Sequence, residues 1–146
     1  MIEVVSKNNI DEVLPLIRAY QEFYNVAEIS DFKNKEFFSQ FGESNSSGCQ
    51  FICRDNGTVA GFATVYFTYT SSITAKVAVL NDLYTVSALR GKGIGRKLIE
   101  HCHKYASSSG AARLQWVTAP DNEQAKKLYD SMDTSKSTWN FYTYNT

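Results

Sequence analysis

The chain of 146 residues lacks the features that mark membrane, leader-bearing and nucleic-acid-binding proteins. No apolar run approaches the roughly 20 residues that cross a bilayer, and residues 1–5 are too short and too acidic for a leader peptide. Fifteen basic residues balance fifteen acidic ones, so no net positive charge attracts DNA, RNA or a membrane surface. We therefore expect a soluble, cytoplasmic protein that binds neither nucleic acid nor membrane.

Cysteine is also scarce. The three cysteines, Cys49, Cys53 and Cys102, are an odd number, and their spacing does not supply the paired ligands of a zinc site. Cys53 falls in an apolar strand pattern and Cys102 on the apolar face of a helix pattern, where thiols pack as small hydrophobic groups. We expect all three to be reduced and structural, and we expect no metal.

What the chain does contain fits a single domain over residues 1–146. It is 43% hydrophobic and 14% aromatic, which suffices for one core. Residues 1–60 carry nine acidic and five basic side chains, whereas residues 61–146 carry six and ten. An acidic first half suits a cationic amine and a basic second half suits a polyphosphate, but a chance arrangement of surface charge explains the asymmetry equally well.

The most informative stretch is a glycine-rich turn near residue 93, between a strand pattern and a helix pattern. β-forming residues are frequent at positions 77–80 and 83–86, and Ile94, Leu98 and Cys102 then recur at helical spacing. The first turn of a helix presents unpaired N–H groups, and glycines let an anion approach them. Nearby arginines and lysines add positive charge. The pattern predicts a pyrophosphate-binding turn, with a tight packing turn as the alternative.

The spacing of the turn identifies its type. It matches neither the P-loop nor the Gly-x-Gly-x-x-Gly dinucleotide fingerprint, but Arg90, Gly93 and Gly95 give Arg-x-x-Gly-x-Gly. With residues 80–85 ahead of it, this stretch resembles motif A of the GNAT superfamily of acyl-CoA-dependent N-acetyltransferases. Downstream, the spacing Asn122, Ala125 and Tyr129 resembles the second coenzyme-contacting motif of that superfamily.

The remaining patterns agree with the order of elements that this resemblance implies. They predict a strand at residues 1–5, helices at 10–24 and 31–40, and a hairpin around Asn56-Gly57. Further strands are predicted at residues 113–118 and 137–144. The expected fold is α/β (α+β), a mixed, mostly antiparallel twisted sheet flanked by helices, with a splayed strand pair at the coenzyme site.

The resemblance implies acetyl-CoA as co-substrate. The residues that would contact it are Leu83, Tyr84, Thr85, Val86, Arg90, Gly91, Lys92, Gly93, Ile94, Gly95, Arg96, Asn122, Ala125 and Tyr129. The N–H of Leu83 or Tyr84 would stabilise the negative charge that develops on the thioester oxygen. Tyr129 would protonate the departing thiolate, although a tyrosine that only anchors its helix explains this residue too.

The acceptor side is less defined. An alkylammonium must lose a proton before it attacks, and Asp82 or Glu28 would accept that proton or attract the cation. A strand-end carboxylate paired with a nearby base is an equal alternative for Asp82. By resemblance, the substrate-binding residues are Tyr24, Glu28, Asn81 and Asp82.

The resemblance implies an enzyme that transfers an acetyl group directly to a primary amine, most simply a small molecule, within a ternary complex. A protein lysine or N-terminus is an alternative acceptor. A catalytically silent acyl-CoA sensor and a phosphate-binding or dimerising domain remain as alternatives of other classes. The segment after Tyr129 lacks the Gly-Phe turn of many family members, and the aromatic strand predicted at residues 137–144 favours a homodimer.

Overall fold

Five strands and four α-helices follow one another along the 146 residues, all of which the computed structural model describes. Their order is β1 (Ile2–Val4), α1 (Ile10–Phe23), α2 (Asp31–Phe38), β2 (Gly48–Asp55), β3 (Thr58–Thr70), β4 (Ala75–Thr85), α3 (Ile94–Ser108), β5 (Leu114–Gln115) and α4 (Glu123–Asp130). The chain divides into two compact units, Met1–Trp116 and Val117–Thr146. No helix combines the length and the apolar character needed to cross a membrane.

The first unit contains one sheet with strand order β1-β2-β3-β4-β5. The first three pairings are antiparallel and only β4 with β5 is parallel, which confirms the predicted mixed, mostly antiparallel sheet. Asn56 and Gly57 connect β2 to β3 with φ values of 51° and 82°. Positive φ at both positions is the requirement of the tight hairpin turn that Asn-Gly favours.

Helix α1 covers one face of the sheet because its apolar residues recur at helical spacing. Tyr20 of α1 contacts Phe62 of β3 with their ring centroids 5.8 Å apart. Burial of each branched aliphatic or aromatic side chain in this layer contributes about 1.5–3 kcal/mol. The buried cluster on this face comprises Val5, Ile10, Val13, Leu16, Ile17, Phe38, Ile52, Val59 and Phe62.

Helix α3 covers the opposite face. The ring of Phe51, on β2, lies 5.1 Å from that of Tyr105 and 4.7 Å from that of His101. Gly61 of β3 is needed for this close packing, because a Cβ there would lie 2.6 Å from the Tyr84 carbonyl oxygen and 3.1 Å from Ile94 Cγ2. The glycine therefore fixes how closely the first turn of α3 approaches the sheet.

The three cysteines are free and buried within this unit. Cys49 lies on β2 and Cys102 on α3, and neither side chain has measurable exposure. Burial raises the pKa of the Cys49 thiol to about 11 and that of the Cys102 thiol to about 12. At neutral pH these two groups are protonated and act as small hydrophobic side chains.

The second unit contains α4 and a tail without regular secondary structure, and the strand predicted at residues 137–144 is absent. In the first unit, the strand predicted at residues 113–118 is present but is confined to Leu114–Gln115. Alternation of side chains reports a preference for extended backbone, but a strand also needs a partner for its hydrogen bonds. The tail has none, and its aromatic side chains are exposed: Trp139 86%, Phe141 89%, Tyr142 86% and Tyr144 97%.

Candidate active site

The glycine-rich turn opens α3 with a row of backbone N–H groups. Gly91 and Gly93 have φ values of 83° and 82°, a conformation that other residues rarely adopt. Gly93 is the residue that caps α3, and the first hydrogen bond of the helix runs from the Lys97 N–H to the Gly93 carbonyl at 3.0 Å. The amides of residues 91–96 precede that bond, and the space beside Gly91 and Gly93 is open. The turn can therefore receive an anion at the positive end of the helix.

Two basic side chains are tied to neighbouring elements around this turn. Arg90 donates from Nε to the Thr85 carbonyl at 3.0 Å, and its guanidinium lies 5.5 Å from the centre of the Tyr84 ring. Lys92 forms an exposed ion pair with Asp55, with 3.7 Å between Nζ and Oδ2. Arg90 thus anchors the turn to the end of β4 while it adds positive charge there.

Strands β4 and β5 pair over two residues only. Ala78 pairs with Leu114 and Val79 with Gln115, and no further pair follows. The β3–β4 register shifts just after this pairing. Leu80 lies opposite Val65, whereas Asp82 lies opposite Thr64, so Asn81 is the extra residue of a β-bulge. The part of β4 beyond the bulge consequently has no neighbouring strand on its outer edge, as the predicted splayed strand pair requires.

The bulge decides which backbone groups face that outer edge. The Val86 N–H donates to the Ala60 carbonyl at 2.8 Å, so Val86 points its N–H toward β3. Backbone groups alternate in direction along an antiparallel strand, and Tyr84 therefore also faces β3. Leu83 points its N–H and carbonyl the other way. Of the two donors predicted from the sequence, the Leu83 N–H is the one on the unpaired edge.

Asp82 is buried beneath α1, with 6% of its surface exposed. The Asn81 amide donates to Asp82 Oδ1 at 3.0 Å. Burial raises the pKa of the Asp82 carboxyl above its ordinary value, while hydrogen bonding by Thr64, Tyr20 and Asn81 opposes that rise. A carboxylate in this environment binds a proton more readily than one in water.

Tyrosines surround this carboxylate. Tyr20 of α1 donates to the Asn81 carbonyl at 3.3 Å, and its ring centroid lies 4.9 Å from that of Tyr24. Burial first, and then the charge of Asp82, raise the pKa of both Tyr20 and Tyr66 well above the ordinary value. Both phenols therefore stay neutral. Neither tyrosine belongs to a motif in the sequence, and only the fold places both beside Asp82.

The other predicted acid, Glu28, lies in a different environment. It is exposed on the connection between α1 and α2, and no hydrogen bond or ion pair joins it to Asp82. The structure thus brings together Asp82, Asn81 and Tyr20, and the Tyr24 ring lies against that of Tyr20 at an angle of 55°. No three His, Cys, Asp or Glu side chains are grouped as metal ligands anywhere in the chain.

The second motif lies in the unit that begins at Val117. Asn122 caps α4, because its side-chain oxygen accepts from the Ala125 N–H at 3.2 Å. Part of the Asn-x-x-Ala spacing is therefore explained by helix capping alone. Tyr129 lies in the last turn of α4, which ends at Asp130.

Comparison with known proteins gives one consistent result. Residues 13–133 match the family model described as the Acetyltransferase (GNAT) family. The chain is 34% identical over 118 residues to the uncharacterized N-acetyltransferase YhfO of Bacillus subtilis (strain 168), covering 81% of this chain and 78% of that protein.

Two further proteins resemble parts or the whole of the chain. Over 75 residues it is 39% identical to the D-amino-acid N-acetyltransferase HPA3 of Saccharomyces cerevisiae, which covers 51% of this chain and 47% of that protein. Its fold matches the structure of AAC(6')-Iy in complex with the bisubstrate analog CoA-S-monomethyl-acetylneamine, with a TM-score of 0.82 at 16% identity. That match covers 100% of this chain and 98% of the other.

Proposed function

The chain belongs to the GNAT family of acyl-CoA-dependent N-acetyltransferases, and we propose that it transfers the acetyl group of acetyl-CoA to a small primary amine. The observation that carries this proposal is the combination within one unit of an open glycine turn and an unpaired edge of β4. The glycine turn supplies N–H groups for a pyrophosphate, and the strand edge supplies hydrogen bonds for an extended arm.

The coenzyme would use backbone groups on both features. The amides of residues 91–96 would bind the pyrophosphate, and the Leu83 edge of β4 would pair with the pantetheine arm. Because the Thr85 carbonyl already accepts from Arg90, the Leu83 groups remain as the principal partners on that edge. The AAC(6')-Iy structure was determined with a CoA-containing analog, which supports CoA as the coenzyme type for this fold.

A small, cationic amine suits the acceptor side. The Asp82 carboxylate is buried and faces tyrosines, and aromatic rings around a carboxylate attract an ammonium group. HPA3 is a D-amino-acid N-acetyltransferase, and the bisubstrate analog bound to AAC(6')-Iy contains an acetylneamine group. A protein lysine or N-terminus is the alternative acceptor, and a longer peptide would have to bring its amine to the same buried carboxylate.

The proposed reaction needs three groups. Asp82 takes one proton from the ammonium, with Glu28 as the alternative base, and the freed lone pair forms a C–N bond with the thioester carbon. The Leu83 N–H stabilises the resulting oxyanion. The C–S bond then breaks, Tyr129 donates a proton to the thiolate, and the amide nitrogen releases its extra proton. The products are the acetylated amine, CoA and one proton. The family pattern, and not its position in the fold, supports the role of Tyr129.

We also propose a homodimer in the cytoplasm. The exposed aromatic side chains between Trp139 and Tyr144 support dimerisation, because a second chain would remove them from water. Three free cysteines fit a reducing compartment. Sedimentation of the full chain tests the dimer: a monomer at all concentrations up to 100-fold above the assay concentration would contradict it.

Release of CoA thiol from acetyl-CoA across a panel of amines and lysine peptides tests the function. We expect turnover with one class of small amine, and a decrease of about tenfold or more in kcat for Tyr129→Phe. Unchanged turnover by Tyr129→Phe would exclude the general-acid role alone. Saturable binding of acetyl-CoA without turnover of any amine would favour the sensor alternative.

A further inference from the structure

A row of polar side chains crosses the centre of the sheet. Gln50 of β2 lies directly opposite Thr64 of β3, and Thr64 lies directly opposite Asp82 of β4. Gln50 and Thr64 have no measurable exposure, and Gln50 donates from Nε2 to Thr64 Oγ1 at 3.0 Å. The three side chains share the face that α1 covers, where their neighbours Ile52 and Phe62 are apolar. The row therefore links the interior of the sheet to the carboxylate of the candidate active site.

Gln50 makes this row unusual. Its Oε1 is the one buried side-chain nitrogen or oxygen atom in the chain without a hydrogen-bond partner. A buried acceptor left unpaired is unfavourable, and leucine or valine would fill the same place in a sheet without that cost. A sequence that keeps glutamine at such a position departs from the rule for cores, and departures of this kind concentrate at functional sites.

The direction of the Gln50–Thr64 bond accounts for the departure. A threonine hydroxyl has one hydrogen to donate and can accept on its lone pairs. Because Gln50 donates to Thr64, the Thr64 hydrogen is directed away from Gln50, and Asp82 is the acceptor with which Thr64 interacts. If the Gln50 amide were reversed, its oxygen would compete with Asp82 for that single hydrogen.

We propose that Gln50 and Thr64 are positioning residues that hold Asp82 in its charged, proton-accepting form for the acetyl transfer. Gln50 orients the Thr64 hydroxyl, and the hydroxyl stabilises the carboxylate that burial would otherwise neutralise. The pair acts through Asp82 and does not touch the amine. The inference rests on the proposed function, because it deepens the role given there to Asp82.

Only neutral groups lie around Asp82 to stabilise its charged form. Tyr20 of α1 and Tyr66 of β3 are the titratable groups that face it, and Tyr24 lies behind Tyr20. Burial and the carboxylate itself raise the pKa of Tyr20 and Tyr66, so both are uncharged at neutral pH. The charged form of Asp82 is therefore supported by the Asn81 amide and the Thr64 hydroxyl, which are neutral groups, without a cation.

The first test compares Thr64→Val with Thr64→Ser in the full chain. The titration of the Asp82 carboxyl carbon, followed by NMR, needs no acceptor amine. Removal of the donor in Thr64→Val should raise the midpoint by about one pH unit, and Thr64→Ser should restore it to within a few tenths. Thr68→Val, an exposed position on the same strand, is the matched control and should leave the midpoint unchanged. An unmoved midpoint in Thr64→Val would overturn the proposal.

A second test separates positioning from support of the fold. The double variant Gln50→Leu, Thr64→Val removes both partners, so no buried polar atom of the pair is left unsatisfied, and its thermal stability should equal or exceed that of the wild type. Its kcat/KM for the best amine should still fall, by up to tenfold at neutral pH, and the acidic limb of its pH–rate profile should move to higher pH. A stable double variant with the same kcat/KM and the same acidic limb of the pH–rate profile as the wild type would overturn the proposal.

Asp82→Asn distinguishes failure of this inference from failure of the proposed function. An inactive Asp82→Asn with unaltered pH dependence in Thr64→Val would leave Asp82 as the base and remove the roles of Gln50 and Thr64. A fully active Asp82→Asn would remove both, because there would be no catalytic carboxylate to position.

Discussion

The two sides of the candidate active site are built from different parts of the chain. The proposed coenzyme side consists of backbone groups, namely the amides of the glycine turn and the unpaired edge of β4 at Leu83. The acceptor side uses side chains, with Asp82 buried among Tyr20, Tyr66 and Thr64. Backbone groups are the same for every residue, so the coenzyme side depends on conformation. The acceptor side depends on which side chains the register brings together, and it is the side on which substrate choice can change.

The largest effect is expected on the acceptor side, for Asp82→Asn. Asparagine keeps the shape but cannot take a proton at neutral pH, so kcat/KM should fall by about 10²–10⁴. Thermal stability should be retained or increased, since burial disfavours the charged carboxylate. Acetyl-CoA affinity, measured by calorimetry, should not change, and Glu28→Gln is the control for the other candidate acid. Loss of activity in Glu28→Gln with a fully active Asp82→Asn would exchange their roles.

The coenzyme side should respond to a change of backbone conformation. Gly93→Ala places a Cβ at a φ of 82°, which costs roughly 1–2 kcal/mol, and relief of that strain would turn the amides away from the anion. Acetyl-CoA affinity should fall about tenfold. Gly57→Ala is a matched control with the same φ of 82° in the hairpin turn, and it should lose similar stability without loss of affinity. Equal affinity losses in the two variants would contradict the assignment.

A third change joins the two sides through packing. In Gly61→Ala the new Cβ would lie 2.6 Å from the Tyr84 carbonyl, so β3, β4 or the start of α3 must shift. The free energy of unfolding should decrease by about 1–3 kcal/mol, as measured by urea denaturation. Gly42→Ala, whose Cβ would meet only the Val5 carbonyl at 3.8 Å, is the control and should change stability little. A neutral Gly61→Ala would show that the sheet and α3 can separate there.

The smallest effect concerns a region that belongs to neither side. Arg54 hydrogen-bonds Glu3 and Glu12, which lowers the pKa of both carboxyl groups. Because the charged forms are favoured in the fold, this stabilisation is present above the ordinary glutamate pKa of about 4.5 and is lost as the pH falls through the lower folded values. Glu3→Gln should therefore weaken the acid dependence of unfolding without changing either substrate affinity.

The control for this acid dependence is Glu100→Gln, an exposed position on α3. It should leave the pH profile of unfolding unchanged. A profile for Glu3→Gln that coincides with the wild-type profile would show that the contacts of Arg54 contribute nothing measurable, as is common for exposed ion pairs.

Sequence patterns predicted the elements around the proposed coenzyme side more fully than the side-chain contacts of the acceptor side. The Asn56-Gly57 hairpin and the start of α3 after Gly93 depend on residues adjacent in the chain, so local patterns predict them. Gln50, Thr64 and Asp82 come from three strands, and only the strand register reveals that they are neighbours. In the sequence, the one indication of this polar row is Gln50, a polar residue within the otherwise apolar run 49–53.

The same limit explains the errors and the open choices. Residues 137–144 alternate like a strand, but alternation does not supply the partner that a strand requires. Asp82 and Glu28 were equal candidates in the sequence, and burial separates their environments. The choice between the Leu83 and Tyr84 amides depended on the bulge at Asn81, which reverses the direction of every backbone group after it.

Because its cysteines are buried, the enzyme should be nearly unreactive toward thiol reagents. Only thiolates react at useful rates, and a thiol with a pKa of about 11, such as Cys49, holds about one thiolate in ten thousand at pH 7. Cys102 ionises still less, and Cys53 is buried as well. A colorimetric reagent added during turnover will therefore report the thiol of the released CoA above a flat background. Continuous kinetics can be recorded on the unmodified chain, without replacement of its cysteines.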